Sequence, residues 1–269
     1  MKTEPKIGFI GGGNMAEALI KGLVAAHRQI NLLVCEPLDS RRETLASRYP
    51  LQFCADSSEL ARECGIIFLA VKPQLAASVL DQLGPAIGEE KLLISVMAGI
   101  STAFMEQHFS HPVCIVRAMP NTPALVGEGV TAICAGAHAQ PDNMETAESL
   151  LTAVGPVFRV HEAQMDSVTG LSGSGPAYVF TLIEALADGG VQEGLPRDTA
   201  LSLAVQTVLG AAALVKESRE HPAVLRDRVC SPGGTTIRGI KALEEHGFRN
   251  AVMEAVHQSA RRSRELGGK

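Results

Sequence analysis

The 269-residue sequence contains no tryptophan and only two tyrosines. Proteins that bind single-stranded nucleic acid by stacking need exposed aromatic side chains, so this composition argues against that class. The net charge of −5 at pH 7 includes no long run of one sign, and therefore no basic groove or polybasic patch. We expect no nucleic-acid partner and no membrane partner.

Patterns typical of several other classes are also missing. The six cysteines form no C-x-x-C pair, which indicates reduced core thiols, and the eight histidines form no H-E-x-x-H motif, so no metal is expected. A G-x-S-x-G elbow is absent. The sequence has no run of about 18 uncharged apolar residues, and its polar start, residues 1–5, is unlike a signal peptide. These absences predict a cytoplasmic protein.

The most informative feature that is present is a glycine-rich segment after the apolar run of residues 6–10. Residues 11–16 spell G-x-G-x-x-A and lead into apolar residues at helical spacing. Gly11 permits a tight turn, Gly13 lets a phosphate approach the backbone, and Ala16 allows close packing of the helix on the strand. Amides at the helix start would bind the pyrophosphate of a dinucleotide. We predict cofactor contacts at Gly11, Gly12, Gly13, Asn14 and Met15.

A second apolar segment, residues 30–35, ends at Glu36, which follows the glycine-rich turn at roughly the 20-residue spacing of a ribose-binding acid. A carboxylate there accepts hydrogen bonds from both ribose hydroxyls and repels a 2′-phosphate, which favours NADH. However, the Ser-Arg-Arg segment at residues 40–42 could hold that phosphate, or could form a solvated first helical turn. The residues alone leave the choice between NADP(H) and NAD(H) open.

Two further loops follow apolar strands and are candidate cofactor or substrate contacts. In the first, Ala70, Val71, Lys72 and Pro73 are expected to lie along the nicotinamide ribose, although Lys72 also fits an exposed loop lysine. In the second, residues 117–123, two prolines stiffen the segment around Asn121. That loop would contact nicotinamide or substrate, unless it is a purely structural turn.

The organisation of the chain changes near residue 163. Before it, apolar strands alternate with helical patterns, which predicts βαβ units and a mainly parallel sheet. After it, strands give way to alanine- and leucine-rich helical patterns. We predict an α/β fold with a dinucleotide-binding domain of residues 1–163 and an all-helical domain of residues 164–269. The candidate strands are residues 6–10, 30–35, 66–70, 92–95, 113–118, 130–135 and 157–160.

One helical pattern, residues 201–215, is apolar on nearly every face, and such a helix is normally buried. A small helical domain hides such a helix more easily against a second copy of itself than within one chain. We therefore predict a homodimer built on this region. The alternative is a helix sandwiched inside a single chain.

The helical region contains two segments of small and hydroxyl-bearing residues ahead of helices, residues 173–178 and 231–236. In the second, Gly233, Gly234 and Thr235 offer consecutive amides at a helix start, which suits a carboxylate, and Thr236 adds a hydroxyl. Helix capping by serine and threonine is the alternative and would explain either segment alone, but it explains less easily the two glycines ahead of the second helix.

Taken with the motifs Val-Lys-Pro-Gln at residues 71–74 and Arg-Ala-Met-Pro-Asn-Thr-Pro at residues 117–123, these segments resemble the pyrroline-5-carboxylate reductase family over essentially the whole chain. The resemblance implies an N-terminal Rossmann domain, a C-terminal helical dimerisation domain and dimers that assemble into decamers. It implies reduction of 1-pyrroline-5-carboxylate to L-proline by NADPH or NADH. It also implies substrate contacts at Ser231, Gly233, Gly234 and Thr235, with Thr236 as the catalytic residue near the ring nitrogen. Family members vary at Glu36.

Two other functions remain to be distinguished. A β-hydroxyacid-type dehydrogenase would need a lysine on the helix after the Gly-Ser-Gly segment, and residues 178–184 contain none. A non-catalytic nucleotide-binding protein would bind the dinucleotide without turnover. An assay of NAD(P)H oxidation with pyrroline-5-carboxylate separates these possibilities.

Overall fold

The computed structural model describes residues 6–27 and 30–267. The polar start that argues against a signal peptide, residues 1–5, lies outside the described residues. The chain divides by contacts into two compact units, one of Met1–Ser174 with Gln258–Lys269 and one of Gly175–His257. This division falls later than the predicted boundary at residue 163, because Met165 is fully buried against the sheet residues Ala132 and Cys134.

The first unit is built on an eight-stranded sheet in the order β3-β2-β1-β4-β5-β6-β7-β8. Every pairing is parallel except that of β6 with β7. Each predicted strand is present, and the Rossmann fold is confirmed. An additional strand, β3, was not predicted. The strands are β1 (Ile7–Ile10), β2 (Leu32–Cys35), β3 (Gln52–Phe53), β4 (Ile66–Leu69), β5 (Leu92–Ser95), β6 (Cys114–Met119), β7 (Thr131–Ala135) and β8 (Val157–Arg159).

Helices cover the two faces of this sheet and enclose two apolar cores. Successive strand residues point to opposite faces, so that Phe9 and Phe68 lie in one core while Ile10 and Leu69 lie in the other. The rings of Phe9 and Phe68 stack at a centroid distance of 4.7 Å. The helices are α1 (Asn14–Ala26), α2 (Asp39–Ala46), α3 (Ser57–Glu63), α4 (Ala76–Leu83), α5 (Thr102–Glu106), α6 (Pro141–Leu151) and α7 (Met165–Val168).

Because β1 lies between β2 and β4, the chain direction across the sheet reverses at β1. The loops that follow β1, β2 and β4 therefore meet at one edge, at the switch point where open α/β sheets bind ligands. The predicted glycine-rich turn, Glu36 and the Ala70–Lys72 loop all follow these three strands.

The second unit is entirely helical, as predicted. Its first two helices pack through small residues, among them Ala187, Ala200 and Ala204. The helix Arg197–Ser218 leaves most of its apolar side chains exposed in the single chain, and within residues 6–27 and 30–267 it alone is long and apolar enough to cross a membrane. The helices are α8 (Gly175–Gln192), α9 (Arg197–Ser218), α10 (Pro222–Arg228), α11 (Thr235–Glu245) and α12 (Phe248–Leu266), whose end belongs to the first unit.

Truncating Phe68 to alanine should lower the free energy of unfolding by about 3–5 kcal/mol, because the fully buried ring stacks on Phe9 in the centre of the sheet. Phe158→Ala is the matched control, since that ring is 57% exposed on the last strand, and we expect a cost of about 0.5 kcal/mol. Urea unfolding followed by circular dichroism measures both. Equal costs for the two variants would contradict the described core.

Candidate active site

The turn between β1 and α1 is shaped by glycines with different physical tasks. Gly11 has a φ of +94°, and a Cβ there would lie 2.7 Å from the Ala70 carbonyl oxygen. A side chain at this position is therefore excluded by strain and by contact. Gly13 has ordinary extended backbone, and a Cβ there would meet nothing within 4 Å. The turn thus leaves open space in front of the first amides of α1, which have no partners within the helix.

Glu36 is fixed beside this turn by two backbone hydrogen bonds. The Gly12 amide donates to one carboxylate oxygen at 2.7 Å, and the Leu38 amide donates to the other at 2.9 Å. The residue is only 8% exposed. The carboxylate is thus held rigidly at the end of β2, where the sequence places a ribose-binding acid.

A second carboxylate, Glu17 of α1, organises the basic residues of the same region. Arg41 donates to Glu17 at 2.5 Å and to the Gly12 carbonyl oxygen, and Arg48 donates to Glu17 at 2.8 Å. Burial acts to raise the pKa of Glu17, but the hydrogen bonds and charges of the two arginines outweigh it and hold that pKa below its ordinary value. Burial and the Glu17 charge raise the pKa of Tyr49, whose hydroxyl also contacts Glu17.

A cavity of about 920 Å³ opens at this edge of the sheet, entirely within the first unit. Among the predicted cofactor residues, those lining it are Gly11, Gly13, Asn14, Glu36, Ala70, Val71 and Lys72. Lining residues not predicted as contacts include Leu38, Thr44, Asp56 and Gln82. A volume of this size, an open helix N-terminus and a fixed acid at the end of β2 together fit a dinucleotide.

The remaining predicted cofactor residues lie next to the cavity or support its loops. Gly12 holds Glu36, the half-buried Met15 packs against the core, and Pro73 begins a short 3₁₀ helix, Pro73–Leu75. Asn121 is buried, its amide nitrogen donates to the Ser172 carbonyl at 3.1 Å, and its oxygen accepts from the Val130 amide at 2.9 Å. This arrangement supports the structural-turn interpretation, and contact of Asn121 with nicotinamide stays a prediction.

A buried cluster of charged side chains lies around Arg117, near the end of β6. The sequence pattern predicted the loop that follows β6 as a candidate site but did not predict this cluster. Arg117, 2% exposed, lies 3.3 Å from Glu162, which accepts from the amide and hydroxyl of Thr102. Its other guanidinium nitrogen lies 3.9 Å from Asp166, which accepts from the Ser263 hydroxyl at 2.8 Å. The cluster joins β6 to the end of α12.

The second predicted site lies in the helical unit, where residues 231–236 turn into α11. Gly233 has a φ of +70°, Gly234 is the N-cap, and the helix begins at Thr235. The Gly234 amide donates to the Ser231 carbonyl at 3.0 Å, which fixes the turn. Thr236, in the first turn of α11, is exposed in the single chain. The turn therefore presents helix-start amides and a hydroxyl, although the Gly234 amide, one of the three predicted to bind a carboxylate, is already bonded to Ser231; the substrate contacts stay a prediction.

The histidines and cysteines of the chain are the remaining groups to consider as ligands or catalysts, and their surroundings indicate structural roles. Within the described residues, no three histidine, cysteine or acidic side chains gather where they could hold a metal ion. His221 caps α10 by accepting from the Ala223 amide, and His161 is exposed at the start of a 3₁₀ turn. The cysteines are free thiols, and burial raises the pKa of Cys54 to about 12, as expected for inert core thiols.

Comparisons with known proteins cover nearly the whole chain. Residues 162–266 match the family model described as pyrroline-5-carboxylate reductase dimerisation, and residues 6–99 match the one described as NADP oxidoreductase coenzyme F420-dependent. A pyrroline-5-carboxylate reductase from Synechocystis sp. is 49% identical, covering 98% of this chain and 99% of its own.

Two solved structures are similar over the same length. A pyrroline-5-carboxylate reductase from Coxiella burnetii is 37% identical, with a TM-score of 0.91 over 98% of this chain and 99% of its own. A pyrroline carboxylate reductase from Plasmodium falciparum with NADP bound is 36% identical, with a TM-score of 0.89 over 98% of each chain.

The buried cluster predicts a specific pH dependence of stability. Burial acts to raise the pKa of Glu162, but hydrogen bonds from Thr102 and the charge of Arg117 lower it overall. The stabilisation is therefore complete above the unfolded-state pKa of about 4.3 and is lost as the pH falls through the lower folded-state value. Glu162→Gln should cost about 1–3 kcal/mol at pH 7, and the difference from wild type should shrink toward pH 3.

Urea unfolding between pH 3 and 7 measures this difference. Glu148→Gln is the matched control, because Glu148 pairs with Arg159 at 2.6 Å on the exposed surface and should contribute under about 1 kcal/mol. A Glu162 variant whose deficit is constant across this pH range would refute the assigned ion pair.

Proposed function

This chain belongs to the pyrroline-5-carboxylate reductase family, and we propose that the turn before α1 binds its cofactor and the turn before α11 its substrate. The protein is an oxidoreductase that reduces 1-pyrroline-5-carboxylate to L-proline with NAD(P)H, in proline biosynthesis. We propose, as the sequence predicts, that residues 1–163 bind the cofactor and that residues 164–269 bind the substrate. The cavity at the start of α1, with Glu36 fixed beside it, is the observation that carries the cofactor assignment.

The cofactor assignment follows from what the turn before α1 offers. The first-turn amides of α1, those of Asn14 and Met15 included, and the open space at Gly13 suit the two phosphates of a dinucleotide. The Ala70–Lys72 loop lines the same cavity from the β4 side. When bound there, NAD(P)H supplies the hydride that reduces the imine carbon. Pro73 begins the short helix after this loop, and Asn121 holds its own loop in place, while contact of Asn121 with nicotinamide stays a prediction.

The substrate assignment rests on the start of α11. The partial positive charge at a helix N-terminus favours a carboxylate. The Ser231 carbonyl holds the Gly234 amide and so fixes the turn, which leaves the amides of Gly233 and Thr235 to donate to the substrate carboxylate.

We assign to Thr236 the role of stabilising the protonated ring nitrogen of the substrate. A cyclic imine accepts hydride readily once its ring nitrogen is protonated, because the iminium carbon is more electrophilic. A hydroxyl can accept a hydrogen bond from that N–H⁺ and so orient the ring and stabilise the charged form. A strong side-chain acid is not required, because an imine is basic enough to arrive partly protonated.

The helical unit is a dimerisation domain. We propose that α9 packs its exposed apolar side chains, such as Leu203, Leu209 and Leu214, against a second copy of the chain. That burial, rather than insertion in a membrane, would account for the composition of α9. We further propose that dimers assemble into decamers and that the enzyme works in the cytoplasm without a nucleic-acid partner.

Replacing Thr236 with alanine should lower kcat/KM by about 10- to 100-fold, because a hydrogen bond to a charged group contributes about 1.5–3 kcal/mol. Thr236→Ser keeps the hydroxyl and should retain most of the activity. Steady-state oxidation of NADH and of NADPH with pyrroline-5-carboxylate measures both variants. An alanine variant with wild-type kinetics would sink the assigned role.

Placing a charge on α9 should break the dimer. Leu209 is 58% exposed in the single chain, and Leu209→Arg would bury an unpaired charge in the interface. Sedimentation velocity should give a dimer or a multiple of it for wild type and a monomer for this variant. Val126→Arg, on a residue 73% exposed in the first unit, serves as the control and should leave the dimer intact. A wild-type monomer at micromolar concentration would contradict the proposal.

A further inference from the structure

The side of the cofactor cavity formed by the ends of β2 and β3 is rich in carboxylates. From this charge arrangement we infer that the enzyme selects NADH over NADPH, with Glu36 as the residue that touches the adenosine ribose and Glu17 as a positioning residue. The inference rests on the proposed function of the cavity and goes beyond it, because it chooses between the two cofactors.

The charge and the free acceptor positions of the Glu36 carboxylate favour hydroxyl groups over a phosphate. Its two oxygens accept only the Gly12 and Leu38 amides among the bonds described, and a carboxylate has about four acceptor positions. The remaining positions can accept from the ribose 2′- and 3′-hydroxyls. A 2′-phosphate carries close to two negative charges and has no proton to donate once fully ionised. Because Glu36 is buried and fixed, it cannot turn away from that charge.

The cations near Glu36 are already engaged. Arg41 lines the cavity, but its guanidinium donates to Glu17 and to the Gly12 carbonyl. Arg42 pairs with Asp39 on the exposed side of α2. The other cavity-lining cation, Lys72, follows β4, which lies on the far side of β1 from β2.

A further carboxylate, Asp56, follows β3 and lines the cavity on the same side as Glu36. Glu36 and Asp56 therefore face one arginine, whose guanidinium pairs with Glu17. Because Arg48 also pairs with Glu17, these three carboxylates and two guanidiniums together carry one net negative charge. This side of the cavity has no uncompensated positive charge for a 2′-phosphate among its described lining residues. A free ribose hydroxyl meets no such electrostatic cost.

Glu17 acts through Arg41. It lies on α1, is 7% exposed, and holds the guanidinium of Arg41 from α2. If Glu17 lost its charge, Arg41 would be released to pair with a 2′-phosphate, for which a guanidinium is well suited. Glu17 thus controls cofactor choice from a position outside the lining of the cavity.

The test is a calorimetric titration of the purified enzyme with NADH and, separately, with NADPH, without substrate. We expect wild type to bind NADH tighter by about tenfold or more. Glu36→Gln removes the charge and gives up one of the two backbone hydrogen bonds, and it should narrow this ratio at least about threefold by tightening NADPH. Glu17→Gln should tighten NADPH in the same way and leave NADH unchanged. Arg48→Ala, which removes the other arginine partner of Glu17 without releasing Arg41, should leave the ratio unchanged.

Wild type that binds NADPH as tightly as NADH overturns the inference, whatever the variants do. So does a folded Glu36→Gln variant, checked by its unfolding temperature without cofactor, that keeps the wild-type ratio. A folded Glu17→Gln variant with the wild-type ratio refutes the positioning role. Failure of wild type to bind either dinucleotide would instead refute the proposed function of the cavity.

Discussion

The Gly12 amide donates to the buried Glu36 carboxylate, and this hydrogen bond ties the turn after β1 to the end of β2. The turn can make that contact because Gly11 takes a left-handed backbone conformation against the Ala70 carbonyl. The same turn leads directly into α1, whose first residue, Asn14, lines the cavity. Arg41 then joins α2 to the turn and to α1 through the Gly12 carbonyl and Glu17. One constrained turn thus fixes the three strand ends and two helices that shape the cavity in which we propose the cofactor binds.

A different constraint acts on the helical unit, where apolar surface has to be buried. In the single chain α9 is mostly exposed although its sequence is apolar, and only small residues such as Ala200 and Ala204 are buried within the unit. The unit matches a dimerisation family model, and we propose that a second copy supplies the surface that one chain lacks. The turn before α11, which we propose binds the substrate, belongs to the same unit.

Most of the regular secondary structure could be predicted from the sequence. Apolar strands ending in glycine, acid or Lys-Pro signals predicted β1, β2, β4 and their loops, and helical patterns predicted an all-helical second half that includes α9, because burial imposes those patterns directly. The two-residue β3 is too short to show a period. The pairing of Glu17 with Arg41 could not be anticipated, because it depends on how α1 and α2 meet. For the same reason the sequence left Arg41 as a candidate phosphate ligand, whereas the structure shows it engaged.

Gly13 offers the most direct test of the account. A side chain there meets no neighbour within 4 Å and needs no unusual backbone conformation, so Gly13→Val should leave the unfolding temperature of the cofactor-free enzyme within about 3 °C of wild type. The same side chain would occupy the space through which the pyrophosphate approaches α1. We predict that the dissociation constant for NADH, measured by titration calorimetry, rises at least about 100-fold. Unchanged affinity in the stable variant would contradict the placement of the dinucleotide at this turn.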